Sequence, residues 1–264
     1  MVSPIGAIPM VKKKTNLPPA ITNEKLGSEF PFNEAMNLFL PGVSVNIVVF
    51  NYRNGKLKVL IMRLADTQHY MLPGGYVMKE EDLDNAAARI FNEWSGLQGI
   101  QLQQFYTSGK ADRVNDPKVK DIIEKNLNLI SDPWFAQRKI SVCYFALLNE
   151  PEINSAKIDF FVSEHQWINI SDIPALLFDH SHIIEKAVQN VQVNLDHLLI
   201  TQPLFKEEFT MRELQRFYEA VFQKSLTRTN FQRRMLNLNI LERSGKQYTG
   251  KAHKAPYLYR FRND

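Results

Sequence analysis

The 264-residue chain has one cysteine, 11 glycines, 13 prolines and no hydrophobic run approaching the length of a membrane span. A single thiol closes no internal disulfide, and Cys143 falls inside the apolar run 140–148, where cysteine packs as a small hydrophobe. A reduced, intracellular (cytoplasmic) protein is therefore expected, with Cys143 unsuited to nucleophilic work. Glycine and proline are too sparse for a fibrous or low-complexity chain, and 44% hydrophobic with 23% charged residues is the composition of a packed core. The apolar stretch Val2 to Val11 precedes the basic Lys12-Lys13-Lys14, the reverse of a secretory signal, and those lysines read as a solvated tail. The six histidines stand at no metal-ligand spacing and in no Ser/His/Asp order, so no metal centre and no nucleophilic triad are expected.

The net charge of +4 hides an asymmetry. Residues 201–264 carry 13 Lys+Arg against 6 Asp+Glu, a net of +7, whereas residues 1–200 carry 19 against 22, a net of −3. A short segment this basic suits a partner rich in phosphate, though charge alone does not identify one. The length allows two domains, and the expected division is an N-terminal arm at 1–40, a first domain at 41–200 and a second at 201–264.

In the first domain, Val43 to Phe50 and Leu57 to Met62 are β-rich runs flanking Asn54-Gly55, a dipeptide that accepts the positive φ angles of a tight hairpin. Further strands are expected at Arg138 to Leu148 and near Glu164 to Ile170. Asp82 to Trp94 and Ser181 to Leu199 show apolar residues at helical spacing, the second helix capped by Asp179 or Ser181. Ala35 to Leu40 is expected to end the arm as a short helix, and 114–137 to form a polar insertion.

Gly75, Glu81, Arg89, Glu93, Gly96 and Leu97 keep the spacing of a glycine loop feeding an acidic helix. The segment resembles a Nudix box, in which several carboxylates on one helix hold Mg²⁺ for diphosphate hydrolysis. Ile90 and Trp94 stand where that pattern has the first and last of its three helical glutamates. Two remaining carboxylates, Glu81 and Glu93, make a poor divalent site, and both are expected to cap, to pair with Arg89 or to be solvated. The match extends over roughly residues 40–262 to the Nudix-related transcriptional regulators, through 105–113, 138–147 and Phe178-Asp179-His180. That resemblance implies an α+β protein: a Nudix-like α/β/α sandwich with a mixed sheet that senses a ligand, followed by a winged helix that holds DNA.

The C-terminal residues lead to the same place. Thr210-Met211-Arg212-Glu213 fits a capping box, and Leu214, Phe217, Tyr218 and Val221 follow at helical spacing. A second helix capped by Thr227 or Thr229 runs to about Asn239; advancing about 100° per residue puts Phe231, Met235 and Leu238 on its core side. Thr229, Asn230, Arg233 and Asn237 lie opposite, suited to base edges and phosphates in a major groove, with Arg234 on the flank and Arg228 placed to clamp phosphate. Strands at Ile240 to Arg243 and Tyr257 to Phe261 flank a wing whose Lys246, Lys251 and Lys254 would contact backbone phosphate.

The function expected is that of a ligand-responsive repressor of a catabolic operon, a homodimer on palindromic double-stranded DNA, with no cofactor and no catalysis. Its ligand-binding residues are expected among Arg63, His69, Tyr70, Glu81, Lys110 and Arg113. Because loss of the metal carboxylates removes a reason to favour a diphosphate, a sugar such as L-arabinose is the expected effector. The alternatives are a Mg²⁺-dependent hydrolase of ADP-ribose-like nucleoside diphosphates and a basic RNA-binding or adaptor protein.

Overall fold

The computed structural model describes residues 39–64, 67–113, 117, 138–148, 162–201, 207–247 and 255–262. The arm up to 38, the insertion at 114–137 apart from 117, and Lys251 and Lys254 of the wing lie outside the described residues.

The first domain is organised by one long strand, β1 (Phe39–Arg53). Along one edge β1 runs parallel to β6 (Ile140–Leu148), in register from Val43↔Ile140 to Asn51↔Leu148. Its other edge is shared: the N-terminal part pairs with β4 (Gly74–Met78) and the C-terminal part with β2 (Lys56–Leu64), both antiparallel. β3 (Tyr70–Met71) and β7 (Val162–Asn169) pair with β2, and β5 (Gln103–Ser108) pairs with β6, giving a mixed seven-stranded sheet. The hairpin between β1 and β2 turns through Asn54 at φ 53° and Gly55 at φ 76°, as the dipeptide dictates.

The period of two along a strand sorts the core into two layers. Val45, Ile47 and Val49 of β1, with Val142, Tyr144 and Ala146 of β6, pack against Ala86, Ala87, Ile90 and Phe91 of α1 (Leu83–Ser95). Val48 and Phe50 with Cys143 and Phe145 face the other way, against Ile183, Ile184, Ala187 and Val191 of α2 (His180–Thr201). This is the α/β/α arrangement with a mixed sheet that the resemblance implied. α1 ends at Gly96, whose φ of 72° suits a residue without Cβ and whose N–H reaches the Asn92 carbonyl at 2.8 Å.

The second module contains β8 (Phe209–Thr210), α3 (Met211–Phe222), α4 (Arg228–Asn237), β9 (Leu241–Lys246) and β10 (Tyr257–Phe261), with strand order β8-β10-β9. The capping box is formed: Thr210 Oγ1 accepts from Glu213 N at 3.2 Å while Thr210 N donates to the Glu213 carboxylate at 2.7 Å. Its core is continuous with that of the sheet and α2. Leu195, Leu198 and Leu199 share one apolar cluster with Phe209, Leu214, Phe217, Val221, Phe231 and Met235.

Several expectations need correction. Phe39 and Leu40 are strand, because they extend β1 alongside β4 and not a helix of the arm. β9 runs from Leu241 to Lys246, which pairs with Tyr257, so it extends past the expected end at Arg243. Leu238 is the C-terminal cap of α4 and 37% exposed, outside the core that Phe231 and Met235 enter. The Asp179 carbonyl accepts the first-turn bond from Ile183 N at 3.0 Å, but its carboxylate turns to Arg113.

Candidate DNA interface and ligand site

On α4, burial of Phe231 and Met235 against α3 fixes which face looks out. Arg228, Thr229, Asn230, Arg233 and Asn237 are exposed, and none makes a side-chain hydrogen bond or ion pair among the described residues. Basic and amide side chains without internal partners along the outward face of a helix can donate to phosphates and base edges. Arg234 behaves differently. Its Nη2 lies 2.9 Å from Asp196 Oδ2 of α2, and its guanidinium carbon sits 5.6 Å from the Tyr218 ring centroid. It is tied to α2 of the first domain.

In the wing, the Tyr257 ring is flanked by Arg243, whose Cζ is 4.5 Å from the centroid, and Lys246, whose Nζ is 5.6 Å away. Lys246 and Arg243 thus share one aromatic ring, and Arg243 was not singled out from the sequence. Its alternation with Glu242, which pairs with Arg260, was the available signal.

The glycine loop and α1 form the second candidate region. Arg89 donates to the Tyr76 carbonyl at 2.8 Å, to both Glu81 oxygens, and to Glu93 at 3.2 Å. Glu81 also accepts from Met78 N at 2.7 Å. Burial works to raise the Glu81 pKa, but the Arg89 and Met78 hydrogen bonds outweigh it and hold the carboxyl below its ordinary value. Glu81 is thereby an internal brace of the loop, not a ligand-binding group presented to solvent. Trp94 Nε1 donates to the Gly74 carbonyl at 2.9 Å and Ile90 packs beneath Gly75. A Cβ added at Gly75 would stand 3.0 Å from Ile90 Cγ1, so these residues close against the loop. Among the described residues no three His, Cys, Asp or Glu side chains group as a metal site.

The remaining ligand candidates lie in two further groups. Arg63 and Tyr70 are register partners on β2 and β3, with His69 beside them, and Arg63 Nε is 3.0 Å from Glu164 of β7. Lys110 is exposed after β5. Arg113 is 8% exposed and spoken for: it pairs with Asp179 at 2.9 Å and donates to Ser141 Oγ at 2.6 Å and to the Lys139 carbonyl at 3.2 Å. That correction has a simple cause, since a guanidinium with three internal partners fixes the strand ends to α2 and leaves little to offer a ligand. Sequence reasoning passed over Lys139. Burial, aided by Arg113, lowers its ammonium pKa to about 8, and its Nζ lies 5.5 Å from the Tyr76 ring centroid, beside the loop. A groove of about 390 Å³ lies elsewhere, between α2 and the turn of the helix-turn-helix, lined by residues including Ile173, Ser181, Ile184, Glu185 and Gln223.

His180, buried at the start of α2, joins the loop to the sheet. Its Nδ1 accepts from Leu72 N at 2.9 Å, which leaves the proton of the neutral ring on Nε2, 3.3 Å from the Asn46 side-chain amide; Nε2–H donates there when the amide turns its otherwise unpartnered Oδ1 to the ring. Burial and the nearby Arg113 push its pKa down to about 3, against the opposing pull of Asp179. Burial likewise raises the Cys143 thiol to about 12, so Cys143 packs and does not attack.

Residues 203–261 match the family model of the NrtR DNA-binding winged helix domain. An ADPR-responsive transcriptional repressor of Acinetobacter baylyi is 26% identical over 230 residues, covering 84% of this chain and 82% of that protein. Among solved structures, NrtR of Shewanella oneidensis in complex with a 27mer DNA superposes with a TM-score of 0.59 at 23% identity, covering 83% of this chain and 93% of that one. A MutT/nudix family protein of Enterococcus faecalis gives the same TM-score at 18% identity, over 91% and 96% of the two chains. The fold is therefore Nudix-like with a winged helix appended.

Proposed function

We propose that this chain, a Nudix-related transcriptional regulator of the NrtR type with a C-terminal winged helix, is a repressor that binds operator DNA through α4 and the wing and is controlled by a nucleoside-diphosphate effector resembling ADP-ribose. The observation that carries the reading is α4 itself. Its outward side chains Arg228, Thr229, Asn230, Arg233 and Asn237 are exposed and committed to nothing else among the described residues, within a segment matching a DNA-binding winged helix. Lys251 and Lys254 would extend the contact at the wing.

The effector is a correction. A sugar such as L-arabinose was expected from the loss of metal carboxylates, but a relative aligned over 84% of this chain responds to ADPR. The expectation confused hydrolysis with binding. Replacing two glutamates by Ile90 and Trp94 removes metal ligands, yet the Glu81–Arg89 brace keeps the loop in shape, so recognition of a diphosphate can persist when turnover does not. The same brace supports a reading without hydrolysis, because Arg89 pairs with both Glu81 and Glu93. Two copies on a palindrome, with half-sites about 34 Å apart, would let each α4 enter successive major grooves on one side of the duplex.

Gel-shift titration of the intact chain against duplexes enriched from a random pool tests this. Arg233→Ala should weaken binding and relax sequence preference, and Lys251→Ala should weaken all duplexes alike. If both variants bind as the parent does, the assignment of the surface is wrong. Mg²⁺-dependent turnover of ADP-ribose that vanishes in Glu93→Gln would instead favour the hydrolase.

A further inference from the structure

The long helix α2 and the winged helix meet across an apolar core that also carries polar fastenings. Asp196, on the last third of α2, accepts a hydrogen bond from the Tyr218 hydroxyl of α3 and pairs with Arg234 of α4, whose Nη2 lies 2.9 Å from Oδ2 and 3.3 Å from Oδ1. The guanidinium also covers the Tyr218 ring, and that ring meets Phe231 of α4 edge-on at 5.1 Å between centroids. One turn earlier on α2, Gln192 Nε2 donates to the Val221 carbonyl of α3 at 2.9 Å. A single stretch of the sensor's long helix is thus bonded to both helices of the reader.

Apolar contact is non-directional and lets a helix slide or rotate at small cost, whereas a carboxylate gripped by a phenol and a guanidinium specifies direction. Tyr218 is fully buried, and its burial, with Asp196 beside it, raises the phenol pKa, so it remains a donor at any physiological pH. On the helical wheel Arg234 lies about 100° from Arg233, turned toward α2 while Arg233, Asn230 and Asn237 look out. We propose that Asp196 and Arg234 are positioning residues for DNA recognition, fixing the angle of α4 on the sensor domain, and that Arg234 takes no direct part in the DNA contact. The proposal rests on the DNA-binding reading above.

The experiment is fluorescence anisotropy with the intact chain, on a duplex enriched from a random pool by the parent and on a random duplex, across a series of KCl concentrations. Asp196→Asn and Arg234→Gln should each weaken binding to the enriched duplex by roughly tenfold, and the double variant by no more than either alone, as coupled residues do. The slope of log affinity against log salt should stay that of the parent, since a lost phosphate contact would reduce it by about 0.9. Binding to the random duplex should hardly change. Arg234 is half exposed, so Arg234→Gln keeps the test valid if Asp196→Asn folds poorly. A reduced slope in Arg234→Gln with normal binding by Asp196→Asn would make Arg234 a phosphate contact and overturn the inference. Tighter binding by Asp196→Asn, or two variants indistinguishable from a parent that discriminates, would also overturn it. A parent with no preference for any duplex would fail the regulator reading itself, and this one with it.

Discussion

Adding one methyl group at Gly75 tests whether Ile90 closes tightly against the glycine loop. The Cβ of Gly75→Ala would lie 3.0 Å from Ile90 Cγ1, 3.1 Å from Cδ1 and 3.6 Å from Cγ2. Ile90 is 1% exposed and held between Ala86, Ala87 and the sheet, so it yields only by straining its rotamer or pushing α1 outward. Overpacking of this kind costs about 1–3 kcal/mol. Ile90→Ala removes the crowding atoms and leaves a cavity, at about 2–5 kcal/mol. In the double variant the new methyl enters space that Ile90 vacated, so the combined cost should fall below the sum of the two by about 1–2 kcal/mol. Urea denaturation of the four proteins, with unchanged m-values, reads this coupling directly. Costs that add to within about 0.5 kcal/mol would refute the contact. The picture of an apolar side chain closing against the glycine loop would then fail with it.

Two other outcomes follow from the same packing. His180 is held neutral in the fold with its pKa near 3, below its unfolded value of 6.5, so the unfolded chain binds the extra proton as pH falls between those values. Stability should be unaffected by this group above about pH 6.5 and should decline below it, by at most about 1.4 kcal/mol per pH unit, as folded His180 resists protonation. Denaturation curves at several pH values, compared with His180→Gln, should show a shallower acid decline in the variant; equal declines would contradict the assignment. Thr210→Ala removes the oxygen that caps α3 and should cost about 1 kcal/mol, with Thr210→Ser close to the parent. Thermal melting distinguishes the two, and an alanine variant as stable as the parent would mean the box contributes nothing.

Much of this fold was legible because local chemistry and tertiary structure agree. Asn54-Gly55 has few turns open to it, Thr210 and Glu213 cap each other reciprocally, and the Phe231–Met235 pair orients α4. What escaped notice lacks a local signature. β3 and β8 are two residues long, β4 begins with two glycines, and each exists because a longer neighbour supplies its partner. At the site, residue type was readable but allegiance was not. Arg113, Glu81 and Arg234 have the chemistry of ligand or phosphate contacts, yet Asp179, Arg89 and Asp196, between 8 and 66 positions away in the chain, hold them. Only the three-dimensional arrangement separates these cations and carboxylates from Arg228 and Arg233, which remain uncommitted among the described residues.

The central claim, that the chain reads DNA sequence through its winged helix, is tested most directly by competition between an enriched duplex and a random duplex for the intact protein at physiological salt. A preference of about 10³ or more is predicted, which bulk positive charge cannot supply, and adding ADP-ribose should release the enriched duplex. Equal affinity for both duplexes would leave only a basic surface and contradict the account.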